Sequence, residues 1–144
     1  MTLINRRIKQ FIVGKRGEFF FTFLFALFIG ILIALIGSSI IQHFFYKVNL
    51  KTATNEILQI VKVQNGADYH TRQQFNDLLV KLNIDPTKVT FYATPMRVQR
   101  GDPVQVTSEM QYQVFGLKLI GVDLSVPVRA QSDGLAHKYI REGG

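Results

Sequence analysis

Few side chains in this chain of 144 residues are placed where they could carry out catalysis or bind a metal ion. Its three histidines, His43, His70 and His137, have no second ligand at the short spacing typical of metal sites. Cysteine is absent, which excludes thiol catalysis and a disulfide framework. We therefore predict that the chain binds no metal ion.

The other groups that could react also lack a catalytic arrangement. The serines do not lie in a recognisable nucleophile turn, and the carboxylates are isolated on predicted polar faces rather than paired for acid–base catalysis. The segment from Gly116 to Gly121 carries apolar residues between its glycines, unlike a phosphate-binding loop. We predict that the protein is not an enzyme and uses no cofactor.

The sequence favours a structural role more than a catalytic one, because four small residues are spaced for close packing of membrane helices. Helices in lipid associate where small residues allow close backbone approach, because lipid tails are as apolar as leucine. The same spacing can arise by chance, since Gly and Ala are common in membrane helices. The predicted helix-packing stripe repeats at every fourth position and consists of Ala26, Gly30, Ala34 and Ser38.

The stripe lies in an uncharged run from Phe19 to Ile41. Its length of about 23 residues exceeds the roughly 20 that a helix needs to cross a bilayer. A single segment cannot form a barrel, so a spanning segment must be a helix. The alternative is a buried helix of a soluble protein, but the rest of the chain is too short to wrap it. We predict one transmembrane helix over residues 19–41.

A basic leader precedes this helix, and it predicts the orientation. Short flanks rich in Lys and Arg stay in the cytoplasm, so residues 1–18 should lie inside and the chain from about Gln42 outside. The leader forms either an amphipathic helix on the anionic inner leaflet or a frayed tail that only sets topology. The cations that give this signal are Arg6, Arg7, Lys9, Lys15 and Arg16.

The net charge of +7 is largely explained by this leader. The outer part of the chain carries mixed charges without a basic stripe and interleaved aromatic residues, the pattern that would follow a nucleic-acid backbone. We predict no nucleic-acid partner. Membrane lipid is the partner that composition favours.

The helical pattern continues beyond the predicted span, because apolar residues recur at steps of four and three from Tyr46 to Ile60. Nothing before Asn65-Gly66 would end the helix. We predict a helical stalk over residues 42–65 that offers one apolar face to a small domain, and we expect any bend in the helix at Gly37 to Ser39. The residues of this face are Tyr46, Leu50, Ala53, Ile57 and Ile60.

The outer domain is predicted over residues 66–132. Thr71 to Gln74 has the form of a capping box, and the apolar spacing from Phe75 to Leu82 predicts a short amphipathic helix after a loop at residues 67–70. The period then changes to two, which predicts strands over residues 89–94, 104–114 and 122–131. Pro127 places the last strand at an edge.

The fold class that follows is α+β, with one long N-terminal helix, a short helix and an antiparallel meander of about three strands. A sheet this small requires a cover to be stable, and the long helix supplies it. The polar tail over residues 133–144, with Ser132 before it, is expected to be loosely ordered.

This arrangement resembles the TadE-like proteins, which are pilin-like minor components of tight-adherence (type IVb) pilus systems. The basic leader ending in Lys15-Arg16-Gly17-Glu18-Phe19 is similar, and so is the strand that begins Gly101-Asp102-Pro103-Val104 and continues to Tyr112. So too is the Leu119-Ile120-Gly121 turn into a strand that ends at Ala130. Similar single-span proteins also accompany conjugation and secretion machinery.

The resemblance implies a role for Glu18, the one charge at the inner edge of the span. In pilins a carboxylate near this position pairs with the cationic terminus of a neighbouring subunit. Cleavage after Gly14 would place Glu18 fourth in the mature chain and cleavage after Gly17 would place it first, whereas pilins have it fifth. Without the resemblance, Glu18 is a solvated carboxylate favoured by the helix dipole and by nearby cations.

Two functions follow as expectations. The first is a structural, pilin-like subunit of a bacterial pilus, secretion or conjugation assembly, whose partners are copies of itself or other pilin-like subunits and polytopic platform proteins. The second is a binding or sensor module for which the span is only a tether. A subunit needs a defined face on its membrane helix, whereas a tether does not.

Overall fold

The structure is a computed structural model that describes the backbone of residues 3–118 and 121–139, with side chains from residue 17 onward in those ranges. It has a long helix, a short helix and a three-stranded antiparallel sheet, so the predicted α+β class is confirmed. In chain order the elements are α1 (Leu3–Gln64), α2 (Tyr69–Lys81), β1 (Val89–Ala93), β2 (Pro103–Gln113), α3 (Phe115–Lys118) and β3 (Ser125–Leu135).

Helix α1 is continuous over 62 residues, which corresponds to roughly 90 Å at about 1.5 Å per residue. It therefore joins the basic leader, the predicted span and the stalk without interruption, and it stays α-helical through the Gly37 to Ser39 segment. The outer part of α1 forms one wall of the hydrophobic core. Leu50, Ala53 and Ile57 from the predicted apolar face have no exposed surface, and Tyr46 and Ile60 pack at the margin.

The end of α1 depends on Asn65 and Gly66, as predicted. Asn65 adopts a left-handed conformation with φ 58°, and Gly66 follows with φ 133°. The Gly66 N–H donates to the Val61 carbonyl at 2.9 Å, which closes the last turn. A Cβ at Gly66 would lie 2.4 Å from the Met96 Cα, so the chain passes too closely here for any other residue.

The predicted capping box for α2 is wrong in position. The helix begins at Tyr69, inside the predicted loop, and its N-cap is Asp68. The Asp68 carboxylate accepts from the Thr71 N–H at 2.8 Å, while the Asp68 N–H donates to the Thr71 hydroxyl at 3.1 Å. Thr71 thus completes the box as its third helical residue, because the carboxylate of Asp68 is a strong N-cap acceptor.

The sheet has the order β1-β2-β3, with both pairs antiparallel. Val104, Val106 and Met110 of the central strand β2 point into the core, as their alternation predicts. Strand β3 is an edge strand, which confirms the expectation from Pro127. The inward side of the sheet packs against α1, and α2 covers the remaining side of that helix with Phe75 and Leu79.

Strand β3 is displaced along the chain from its predicted bounds of 122–131. It begins at Ser125 and ends at Leu135 because it pairs with the whole of β2, from Gln113 opposite Ser125 to Pro103 opposite Leu135. The apolar alternation at Val122 therefore belongs to an exposed connection rather than to a strand.

The expectation of a loosely ordered tail from Ser132 is wrong through Lys138. Ser132 is buried, and Ala136 is buried and donates its N–H to the Asp102 carbonyl at 2.9 Å. The Asn65 side chain accepts from the Lys138 N–H at 2.8 Å. The end of α1 thus supplies hydrogen bonds that hold this segment, and composition gave no sign of them. Residues 140–144 lie outside the described residues.

The core position of Ile57 predicts a large loss of stability on truncation. Ile57→Ala should lower the free energy of unfolding of the outer domain by about 2–5 kcal/mol, because it removes buried methyl groups and leaves a cavity. The exposed Val63, on the same helix, provides a control: Val63→Ala should change it by less than about 0.5 kcal/mol. Denaturant unfolding of the full chain in detergent, followed by tyrosine fluorescence, measures both. Equal losses of stability for Ile57→Ala and Val63→Ala would contradict the packing of α1 in the core of the outer domain.

The Asp68 cap predicts a dependence of stability on pH. The Thr71 amide and then its hydroxyl hold the pKa of Asp68 below its ordinary value of 3.8. A lowered pKa stabilises the fold above the unfolded value, and this contribution is lost as the pH falls through the folded pKa. Asp68→Asn keeps an acceptor for the cap but cannot titrate, so its stability should fall less than that of the native chain between neutral pH and pH values below 3.8. If the free energy of unfolding of the two proteins fell equally with pH, the result would contradict a stabilising role of the ionised Asp68 cap.

Candidate functional site

The surface of α1 from Phe19 to Ile41 is the main candidate for a functional surface. Nearly all its large apolar side chains are exposed, including six phenylalanines in its inner half. Within the described residues, α1 is the one helix long and apolar enough to cross a membrane, as judged by its length and composition. Since such a surface is stable in lipid and costly in water, the helix suits a single membrane span.

The four residues of the helix-packing stripe lie on the exposed surface of this segment. Ala26, Gly30, Ala34 and Ser38 are not covered by the rest of the chain, and apart from the adjacent backbone of α1 no atom lies within 4 Å of a Cβ built on Gly30. The structure thus leaves this face free for another helix, while contact with a second helix stays a prediction.

The charged residues at the inner end are only partly described. Glu18 is exposed, and its main-chain carbonyl accepts from the Thr22 hydroxyl at 2.8 Å. Its role toward another subunit stays a prediction. The cations that predict topology are on residues whose side chains lie outside the described ones, namely Arg6, Arg7, Lys9, Lys15 and Arg16.

The C-terminal end of the apolar run, near Leu35 and Ser39, is covered on one side by another part of the chain, which the sequence pattern did not indicate. Helix α3, in the connection between β2 and β3, packs directly on the α1 backbone. The Gly116 N–H donates to the Ser39 hydroxyl at 3.2 Å, and a Cβ at Gly116 would lie 2.9 Å from the Leu35 carbonyl oxygen. The apolar residues between Gly116 and Gly121 were the available signal, since an exposed connection is usually polar.

Aromatic and polar groups meet just beyond the last apolar turn of α1. The Tyr112 hydroxyl donates to the Gln42 side-chain oxygen at 3.0 Å. The Tyr112 ring also packs beside His43 and Tyr46, with centroid distances of 5.7 and 5.4 Å. Tyrosine rings are typical of membrane–water interfaces, where one end is apolar and the other is hydrated.

A cavity of about 570 Å³ opens beside the cluster, between α1, β2 and the turn that follows α2. Its lining is mixed, with Tyr46 and Met110 beside Asp85 and Lys88. The Thr87 hydroxyl and amide hold the pKa of Asp85 below its ordinary value, so this carboxylate is ionised at neutral pH. The size and mixed lining of the cavity suit a small polar molecule.

The three histidines remain apart in the fold, on α1, on α2 and beyond β3. Across residues 17–118 and 121–139, no group of three His, Asp or Glu side chains is arranged to hold a metal ion.

Comparison with known families gives a match over residues 26–141, to the family described as a domain of unknown function, DUF4320. The chain belongs to this family. No curated protein and no solved structure matches the chain. The DUF4320 match begins inside the apolar run, so the unit shared by the family includes the C-terminal part of this run together with the whole sheet and α2.

Proposed function

We propose that this DUF4320 protein is a single-span, pilin-like structural subunit of a bacterial pilus, secretion or conjugation assembly. The observation that carries the proposal is that α1 forms both the apolar span and the core of the outer domain. Leu50, Ile57 and Val61 are fully buried against the sheet and α2, and no break separates them from the exposed apolar turns. The outer domain and the span therefore form one rigid unit, as an assembly subunit requires.

The resemblance to TadE-like pilus components supports the same proposal. The leader, the long helix and the strand patterns that carry it all lie on one continuous structural unit. The family match includes part of the apolar helix as well as the outer domain. The sequence of a mere tether could vary independently of the domain that it anchors, whereas an assembly subunit uses its helix and its outer domain together. Copies of this chain, other pilin-like subunits and a polytopic platform protein are the proposed partners.

The position of the helix-packing stripe favours lateral contact between spans. At about 100° per residue, Ala34 and Gly30 lie about 160° and 200° around α1 from Leu50, which faces the core. The stripe thus points away from the outer domain of its own chain. A second helix can approach Gly30 on that side without meeting this domain, and small residues permit the close approach that stabilises helix pairs in lipid.

Single cysteines test this contact, since the native chain has none. Gly30→Cys should form disulfide-linked dimers in the membrane several-fold more efficiently than Phe28→Cys, which lies at similar depth about 160° around the helix. Oxidation of membranes followed by gel electrophoresis measures the yields. Equal yields at the two positions would contradict a defined packing face.

Replacing the small residues tests the same contact by disruption. In a chain that carries Ala26→Cys as the reporter, Gly30→Leu with Ala34→Leu should preserve insertion but abolish the cross-link, because bulky side chains separate the backbones. A matched control, Phe21→Leu with Phe28→Leu, changes the opposite face and should leave the cross-link intact. Unchanged cross-linking in the variant with Gly30→Leu and Ala34→Leu would contradict helix contact through the helix-packing stripe.

A membrane-tethered binding or sensor module is the second candidate, favoured by the cavity of about 570 Å³ beside Tyr46 and Asp85. Such a module requires an accessible site on the outer domain but no particular face on the span. Equal cysteine yields around α1 would favour this function over the structural one.

The proposed orientation places the leader in the cytoplasm and the sheet outside. Thr2→Cys should resist a membrane-impermeant maleimide in intact cells, because the basic flank is retained inside. Tyr69→Cys, on an exposed position of the outer domain, should react. Labelling of Thr2→Cys alone would reverse the topology, and permeabilised cells control for the reactivity of both positions.

A further inference from the structure

The connection between β2 and β3 lies at a level of α1 that a span would place in the membrane. We call it the boundary loop, residues 114–118 and 121–124. Its Gly116 contacts α1 at Leu35 and Ser39. These two residues precede Ile41, the end of the uncharged run, by about 3–9 Å at about 1.5 Å per residue. If α1 spans the bilayer, the boundary loop lies at the depth of its outermost apolar turns.

The boundary loop presents apolar side chains at this level. Phe115 is 60% exposed, Val122 48% and Leu124 45%. Lys118 can extend its charged end toward the headgroups while its stem stays beside the apolar residues. Asp123 is also exposed and favours a position near the water side. This composition suits an element at the interface better than one in the hydrocarbon centre.

Several main-chain N–H groups of the loop donate to carbonyls within the chain, which lowers the cost of contact with lipid. The Val114 N–H donates to the Leu124 carbonyl at 3.0 Å and closes the loop. The Val122 N–H donates to the Leu117 carbonyl, also at 3.0 Å. An exposed connection in water has no need for such pairing, because water can satisfy its polar groups. Further bonds join the N–H groups of Leu117 and Lys118 to the Val114 carbonyl and the Gly121 N–H to the Lys118 carbonyl.

We propose that the boundary loop is a second membrane contact of this protein, inserted into the interfacial region of the leaflet on the side of the sheet. Its ligand is phospholipid, at the level where the acyl chains meet the headgroups. The proposal rests on the membrane span and is independent of the pilin-like role and of the orientation. With the span and the loop both in lipid, the outer domain is held at one height and one rotation relative to the bilayer.

Single tryptophans test the depth of the loop, since the native chain has none. Phe115→Trp is the probe, and Leu124→Trp is a second probe in case the first disturbs the contact with α1. Tyr69→Trp is a matched aromatic control: Tyr69 is 74% exposed and follows the end of α1, about 40 Å above the loop contact. Phe28→Trp, in the apolar run, reports on the span itself.

The full chain is reconstituted in vesicles of equal parts phosphatidylcholine and phosphatidylglycerol, with and without phosphatidylcholine brominated along its acyl chains. Brominated lipid should quench the emission of Phe115→Trp and Leu124→Trp by about half, since interfacial elements enter the boundary by about 5–10 Å. The emission of Tyr69→Trp should stay unchanged, and that of Phe28→Trp should be quenched most.

Quenching at residue 28 without quenching at residues 115 and 124 would overturn the loop contact and leave the span intact. No quenching at residue 28 would overturn the span, and with it both this proposal and the proposed function. A blue-shifted but unquenched emission at residues 115 and 124 would overturn contact with lipid in favour of contact with a second copy of the chain.

Discussion

The burial of one face of α1 beneath the sheet is the interaction on which the rest of the structure depends. Three antiparallel strands and a helix of 13 residues enclose little apolar surface by themselves. Leu50, Ile57 and Val61 fill the space between them and complete the core. The same helix satisfies all its own backbone hydrogen bonds in its apolar inner half, which is the condition for crossing lipid. One element therefore meets the requirements of two solvents.

Polar contacts determine where along α1 the outer domain is placed. The Thr54 and Ser108 hydroxyls share a buried hydrogen bond of 2.7 Å, and Lys51 donates to the Ser132 hydroxyl at 3.0 Å. A shift of the sheet by one helical turn would leave the fully buried Ser108 hydroxyl without this partner, and an unpaired buried polar group costs about 1–3 kcal/mol. Apolar packing alone would tolerate such a shift more readily. The height of the outer domain above the span is thus specified by polar pairs at several levels.

The two ends of the sheet have different surroundings. At the far end, Asn65 accepts from the Lys138 N–H and donates to the Val98 carbonyl at 2.8 Å, so the last turn of α1 binds two loops. At the near end, Tyr112 and the Gly116 contact join the sheet to the outermost turns of the span. An outer domain fixed at both ends transmits a displacement of the sheet directly to α1. This rigidity favours a structural subunit over a domain on a flexible tether.

The sequence by itself determined the elements whose pattern is local and periodic. The uncharged run, the apolar face from Tyr46 to Ile60, the end of α1 at Asn65-Gly66 and the alternation of β2 could all be predicted, because burial on one face imposes a period of 3.6 or 2. The family match came from comparison, and the helix-packing stripe stays a prediction because it requires a second chain.

The tertiary structure decided the features that depend on contacts distant in sequence. The cap of α2 moved to Asp68 because its carboxylate accepts from the Thr71 N–H and starts the helix earlier, and the bounds of β3 were set by the length of its partner β2. Beyond β3, the segment from Ala136 to Lys138 is held by hydrogen bonds to Asp102, Lys62 and Asn65. The contact of Gly116 with α1 joins residues 77 positions apart. Sequence periodicity cannot predict a contact between residues so far apart in sequence, because only the folded core brings the two backbones together.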